Sequence, residues 1–140
     1  MKILVPFYNP GSKLLDRCLK SIENQTYKNF QVCLIDDAST DSTLKKIQRY
    51  QEKYKNIRIY ENKKNIGLTK CLNILLEKTQ GEYIARQDAD DYSSSNRLEF
   101  QINFLHVNKL DACTSRSIIQ NSNKLIPGLS YYLPINLFVQ

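Results

Sequence analysis

A chain of 140 residues, 41% hydrophobic and 24% charged, has the size and composition of one globular domain and not of a disordered tract. No apolar run approaches the roughly 18 residues of a membrane-spanning helix, and Met1 to Pro6 is too soon interrupted for a secretory leader, so a soluble, cytoplasmic protein is expected. The net charge of +6 is uneven: residues 1–70 carry 14 Lys and Arg against 7 Asp and Glu, residues 71–140 carry 6 against 7.

The predicted elements alternate. Ile3-Leu4-Val5 reads as a short buried strand stopped by Pro6. Pro10-Gly11-Ser12 breaks the chain, and Leu14, Leu15, Cys18, Leu19 and Ile22 follow at helical spacing. Phe30 to Ile35 reads as a second strand, ending at Asp36-Asp37. Ser39, Thr40 and Asp41 offer caps to a basic helix with Leu44, Ile47 and Tyr54 on its inner stripe. Ile57 to Tyr60 alternates as a third strand, Asn65-Ile66-Gly67 turns, and a helix follows over 68–79. That helix places Leu68, Cys71, Leu72, Leu75 and Leu76 on one side, with Gly81 as its left-handed cap. Tyr83-Ile84-Ala85 reads as a fourth strand, running into Gln87-Asp88-Ala89-Asp90-Asp91. Ser93 to Asn96 caps a helix that buries Leu98, Ile102 and Leu105; Asp111 to Ile119 then reads as a strand, with a turn at Asn121-Ser122-Asn123.

This βαβα alternation implies an α/β fold with a mostly parallel sheet and helices on both faces. Ligands of such sheets bind beyond the carboxyl ends of the strands. The stretches following the first four strands, Pro6 to Asn9, Asp36-Asp37, Asn62 to Gly67 and Asp88 to Asp91, therefore share one rim.

Asp88-Ala89-Asp90 is the most informative of them. In an extended segment the two carboxylates would project to the same side and repel unless a cation sat between them. Oxygen-only ligands favour Mg²⁺ or Mn²⁺, which also take phosphate oxygens; the competing reading is a helix-entry loop with Asp91 as a cap. Asp37, after the second strand, suits a ribose hydroxyl or a base N–H. Gly67 permits close backbone approach, although Asn65-Ile66-Gly67 also reads as a plain tight turn. The four cysteines form no CxxC pair and His106 is the one histidine, which argues against a zinc site; Cys18, Cys33 and Cys71 lie in apolar runs as buried free thiols. The cluster Lys45, Lys46, Arg49, Lys53, Lys55, Arg58, Lys63 and Lys64 reads as a solvated face or as a surface for an anionic membrane or polyphosphate. Neither GxGxxG nor a Walker A motif is present. The residues alone thus give an acidic, metal-competent rim suited to a nucleotide diphosphate.

Val5-Pro6-Phe7-Tyr8-Asn9, Ser21 to Tyr27, Asp36 to Thr43, Asn65-Ile66-Gly67, Gly81 to Asp91 and Arg97-Leu98-Glu99 stand in the order and spacing of family 2 glycosyltransferases. The chain resembles that family over about residues 3–106. The resemblance implies a GT-A fold and a metal-dependent, inverting transfer from a nucleotide diphosphate sugar, with UDP the expected nucleotide, to a saccharide or lipid-linked hydroxyl. Bacterial surface polysaccharide synthesis is the implied setting.

Carried over by position, Pro6, Tyr8 and Asn9 line the base pocket and Asp37 contacts the base. Asn65 and Gly67 cover the nucleotide, Asp88 and Ala89 meet the ribose, and Asp90, with Asp88, holds the divalent metal (Mn²⁺ or Mg²⁺). Arg86 faces the diphosphate. The base that deprotonates the acceptor is expected downstream of this motif; neither Glu99 nor Asp111 fits it. No nucleic-acid partner is expected. Residues 107–140 depart from the pattern, and the apolar stretch from Leu129 to Val139 carries no charge. It suggests a truncated enzyme, or a surface that packs on another copy of the chain. Peripheral contact with the inner membrane face is a further expectation. The alternatives are a non-catalytic nucleotide-sugar-binding or dimerising module, and a nucleotidyltransferase, whose basic glycine-rich loop after the first strand is missing.

Overall fold

The computed structural model describes residues 1–115 and the two short strands at 117–118 and 125–126. It divides into two compact units, Met1–Ser95 and Asn96–Gln140.

The first unit is a parallel sheet of β1 (Lys2–Phe7), β2 (Gln31–Asp36), β3 (Ile57–Glu61) and β4 (Ile84–Arg86), in the order β3-β2-β1-β4. Its helices are α1 (Ser12–Glu23), α2 (Thr43–Lys53) and α3 (Leu68–Lys78). The register pairs Leu4 with Cys33 and Ile35 with Tyr60, so these side chains share a face. Leu4, Cys33 and Ile35 bury against Cys71 and Leu75 of α3. Leu15, Cys18, Leu19 and Ile22 of α1 and Ile47 of α2 are buried too. Together with Val32 and Ile57 these two helices enclose the opposite face, where Leu19, Ile22, Phe30, Tyr50 and Tyr54 line an apolar cavity of about 250 Å³ at the amino edge of the sheet. Each such aliphatic side chain contributes about 1.5–3 kcal/mol by leaving water. The expected architecture, helices on both faces of a parallel sheet, holds for this unit.

Several local expectations change. Pro6 does not stop β1: the strand runs to Phe7, with Pro6 paired in register with Ile35. Lys2 N–H and Leu4 C=O bond toward β4, and Phe7 C=O toward β2. By that alternation Pro6 faces the β4 side, beyond Leu4, where the β4 ladder has ended. The missing N–H therefore costs no ladder bond. Gly81 is not a left-handed cap. Helix α3 ends at Thr79, which is extended and returns its hydroxyl to Leu75 C=O at 2.6 Å. Gly81 is instead needed for close approach, since a Cβ there would lie 2.9 Å from Lys2 Cγ. On α3 only Cys71 and Leu75 are buried; Leu68 and Leu76 are exposed. Cys18, Cys33 and Cys71 are buried free thiols, as expected.

The second unit contains α4 (Arg97–Asn108) and an antiparallel pair, β5 (Ser117–Ile118) with β6 (Leu125–Ile126). Leu98 and Ile102 of α4 are buried, whereas Leu105 is half-buried. Of the strand expected over 111–119, residues 111–115 are irregular and 117–118 form β5, while 116 and 119 lie outside the described residues. The turn expected at 121–123 and the apolar stretch 129–139 lie outside the described residues. Among the described residues no helix is long and apolar enough to cross a membrane.

Candidate functional site

The strand order runs outward from β1 through β2 to β3, then returns to place β4 on the other side of β1. The carboxyl ends of β1 and β4 thus flank the point where the order reverses, the position at which open α/β sheets bind ligands. Tyr8 and Asn9 follow β1, and Gln87 to Asp91 follow β4. Asp36-Asp37 and Asn62 to Gly67 follow β2 and β3 on the same edge. The structure therefore gathers every stretch that the sequence assigns to the rim.

Hydrogen bonds tie these loops together. Asn9, at φ 47°, accepts at Oδ1 from the backbone N–H groups of Thr40 (2.8 Å) and Asp41 (3.1 Å). Its own N–H donates to Ser39 Oγ at 3.0 Å. The loops after β1 and β2 are thereby one unit. Asp37 does the same for the loops after β2 and β3. Its Oδ1 accepts from Ile66 N–H (2.9 Å) and Asn62 Nδ2 (2.8 Å), and its Oδ2 from Gly67 N–H (2.8 Å). Burial alone would raise this carboxyl, but the donors from Ile66, Asn62 and Gly67 outweigh it and hold it below the ordinary value. The neighbouring Cys71 thiol is pushed up to about 11 by burial first and by Asp37 second. Gly67 sits at φ 89°, ψ 160°, a conformation closed to side chains; nothing lies within 4 Å of its missing Cβ, so the requirement is backbone conformation and not space. Asp36 accepts from Ser39 N–H at 2.9 Å.

The acidic motif is a turn. Asp91 N–H donates to Asp88 C=O at 3.1 Å, so the extended alternation expected to align Asp88 with Asp90 does not apply. Ala89 is buried beneath the turn. Asp88 is half-buried and ion-paired with Arg86 at 2.5 Å. Asp90 is exposed, and among the described residues its carboxylate has no hydrogen-bond or ion-pair partner. Arg86 thus meets the acidic motif itself. Among the described residues no three His, Cys, Asp or Glu side chains converge as a ready metal cage. One or two carboxylates with open positions fit Mg²⁺ or Mn²⁺ that arrives with phosphate oxygens, and do not fit a structural ion. The first turns of α1 and α3 carry no acidic residue of their own, but rim carboxylates already meet both amino ends: Asp41 takes a bond from Gly11 N–H, and Asp37 from Ile66 and Gly67.

Of the other expected site residues, Pro6 is buried within β1, Tyr8 is 51% exposed at the rim and Asn65 is exposed. In the basic cluster Lys46 pairs with Asp16, whereas Lys45, Arg49, Lys55, Arg58, Lys63 and Lys64 are exposed. Sequence reasoning missed the buried polar residues beneath the acidic turn, Ser21, Gln25 and Gln87. The available signal was spacing: Cys18, Ser21 and Ile22 share the inner stripe of α1 and Gln25 follows just past its end, where a buried polar side chain requires a partner.

Comparison with known proteins places this geometry. The sequence model of the family described as glycosyl transferase family 2 matches residues 2–137, beyond the limit near 106 that the motifs suggested. A Bacillus subtilis protein named as a glycosyltransferase, EpsE, is 42% identical over 106 residues, 75% of this chain and 38% of that protein. The structure of Staphylococcus aureus TarS 1-349 in complex with UDP superimposes with a TM-score of 0.70 at 27% identity, covering 85% of this chain and 38% of that one. A Pyrobaculum calidifontis mannosyltransferase, PcManGT, in complex with GDP-Man and Mn²⁺, gives a TM-score of 0.69 at 28% identity, covering 74% and 31%. The chain spans only 33–44% of the length of the first curated relatives it matches. The expected GT-A fold holds, and the motifs at residues 8–9, 36–37, 65–67 and 88–91 all fall on loops of this one rim: the chain belongs to glycosyl transferase family 2.

Proposed function

We propose that this chain is the nucleotide-sugar-binding part of a metal-dependent, inverting glycosyltransferase that uses a nucleoside diphosphate sugar, with UDP as the nucleotide. The observation that carries the reading is the junction of β1 and β4. There an exposed Asp90 carboxylate, without a partner among the described residues, stands on a tight turn beside the loop of Tyr8 and Asn9. The complexes of TarS with UDP and of PcManGT with GDP-Man and Mn²⁺ support this chemistry for the fold.

In this reading Tyr8 and Asn9 line the base pocket beside Pro6, and Asn65 and Gly67 cover the nucleotide. Asp88 and Ala89 meet the ribose, and Asp90, with Asp88, holds the cation. A bound divalent cation would offset the negative charge that develops on the diphosphate leaving group. Asp37 has both oxygens engaged by the loop after β3. Its first contribution is therefore to hold Gly67 and Asn62 in place, and any base contact shares oxygens already accepting hydrogen bonds. Arg86 neutralises Asp88 in the absence of ligand and turns to the diphosphate when the cation takes its place. The acceptor is a saccharide or lipid-linked hydroxyl compound, and the base that deprotonates it lies outside the Asp88–Asp91 motif. The exposed basic cluster suits an anionic membrane surface presenting such an acceptor; salt-sensitive sedimentation with anionic vesicles checks this.

The test is Asp90→Asn. The variant removes charge but little volume, and UDP affinity in Mn²⁺ is expected to fall by about tenfold or more. Unchanged affinity would contradict the cation assignment.

A further inference from the structure

Gln87 precedes the acidic turn and is 3% exposed, and nothing in the proposed chemistry uses it. A primary amide so buried needs partners at both ends. Its Nε2 donates to Asp88 C=O at 3.3 Å and its Oε1 accepts from Ser93 Oγ at 2.5 Å. Gln87 therefore closes the loop that carries Asp88 and Asp90 by joining its first residue to its last. Helix α1 and the residues just after it hold the same loop from beneath. Ser93 N–H donates to Ser21 Oγ at 3.1 Å, and Gln25 Nε2 donates to Ser94 C=O at 2.6 Å. Cys18 Sγ donates to Asp88 C=O, and Arg17 Nη2 to Asp90 C=O, each at 3.4 Å. The Asp88 carbonyl is thus met from beneath by Cys18 and Gln87, and the Asp90 carbonyl at the surface by Arg17.

We propose that Gln87 is a positioning residue: its bridge from Asp88 to Ser93 fixes the turn that presents the Asp88 and Asp90 carboxylates to a divalent cation. The inference rests on reading those carboxylates as the cation site. The turn itself is measurable without ligand, which separates the two claims.

Gln87→Met keeps side-chain length while removing both donor and acceptor, and Ser93→Ala removes the other end of the bond. In either variant of the full chain, amide exchange at Asp91 and Ser93 is expected to quicken by about tenfold, with β1 and β2 protected as before. The Mn²⁺ concentration for half-maximal UDP binding is expected to rise by about tenfold, and UDP affinity at saturating Mn²⁺ to change little. Unaltered exchange in the turn overturns the bridge. Faster exchange with an unaltered Mn²⁺ requirement overturns positioning and leaves a purely structural bond. Loss of protection throughout the sheet in both variants also overturns it, in favour of a folding role. If the unmodified chain binds UDP without regard to Mn²⁺, the cation reading fails, and this inference fails with it.

Discussion

Asp37 shows what a rim carboxylate does before any ligand arrives. Three donors converge on its two oxygens, and it is almost wholly buried. Its folded pKa lies below the ordinary 3.8, so the unfolded chain takes up the proton first. The stabilisation is therefore complete above that value and is lost as pH falls through the folded pKa. Asp16, held down by Tyr50 and Lys20, acts in the same direction. Asp41 does too, where the Thr43 donors outweigh burial. Urea midpoints measured from pH 5 to 2 should fall, and Asp37→Asn should flatten that fall. The same variant should cost about 1–3 kcal/mol at neutral pH, because an amide turns a donor toward one of the N–H groups now served by oxygen. A second prediction concerns the next residue. Ala38 has φ 62°, a conformation costing a side chain roughly 1–2 kcal/mol. Glycine relieves this but loosens the unfolded chain by about 0.4–1 kcal/mol. Ala38→Gly should therefore stabilise by roughly 0.5–1 kcal/mol in denaturant titration. Position and acidity made Asp37 legible in the sequence as a rim residue. Its partners were not legible, because the backbone donors of Ile66 and Gly67 come from a loop 29–30 residues away.

At the scale of elements, periodicity located all four strands and three helices of the first unit and α4 of the second, with ends displaced by a residue or a few. It failed where tertiary contacts override local preference. Pro6 reads as a strand stop, yet the ladder toward β4 ends before it and the strand continues. Gly81 reads as a cap, yet its place is set by the approach of Lys2. The acidic motif reads as extended, yet the bond from Asp91 to Asp88 folds it into a turn. Helix α4 closes with bonds from Leu110 to Leu105 and from Lys109 to His106 across a left-handed Lys109 at φ 53°. That is the arrangement in which glycine is usual. Lys109→Gly should accordingly stabilise the end of α4 by about 0.5–1 kcal/mol, read as slower amide exchange at Leu110.

For the whole molecule, topology converts scattered motifs into a site. Strand order alone brings residues 8–9, 36–37, 62–67 and 87–91 to one edge. The rim and its acidic end were legible because each loop is polar and follows an apolar run. The buried layer of Ser21, Gln25 and Gln87 was not, because its bonds span 69–72 residues or join neighbours that sequence reads as plain loop. What the transferred sugar and its acceptor are belongs to the longer proteins of which this chain matches less than half. The claim that belongs to this chain is metal-dependent capture of the nucleotide. Calorimetric titration with UDP, in Mn²⁺ and then in EDTA, tests it most directly. The account predicts one site in Mn²⁺ and at least about tenfold weaker binding in EDTA. Equal affinity in the two buffers, or no binding in either, would contradict it.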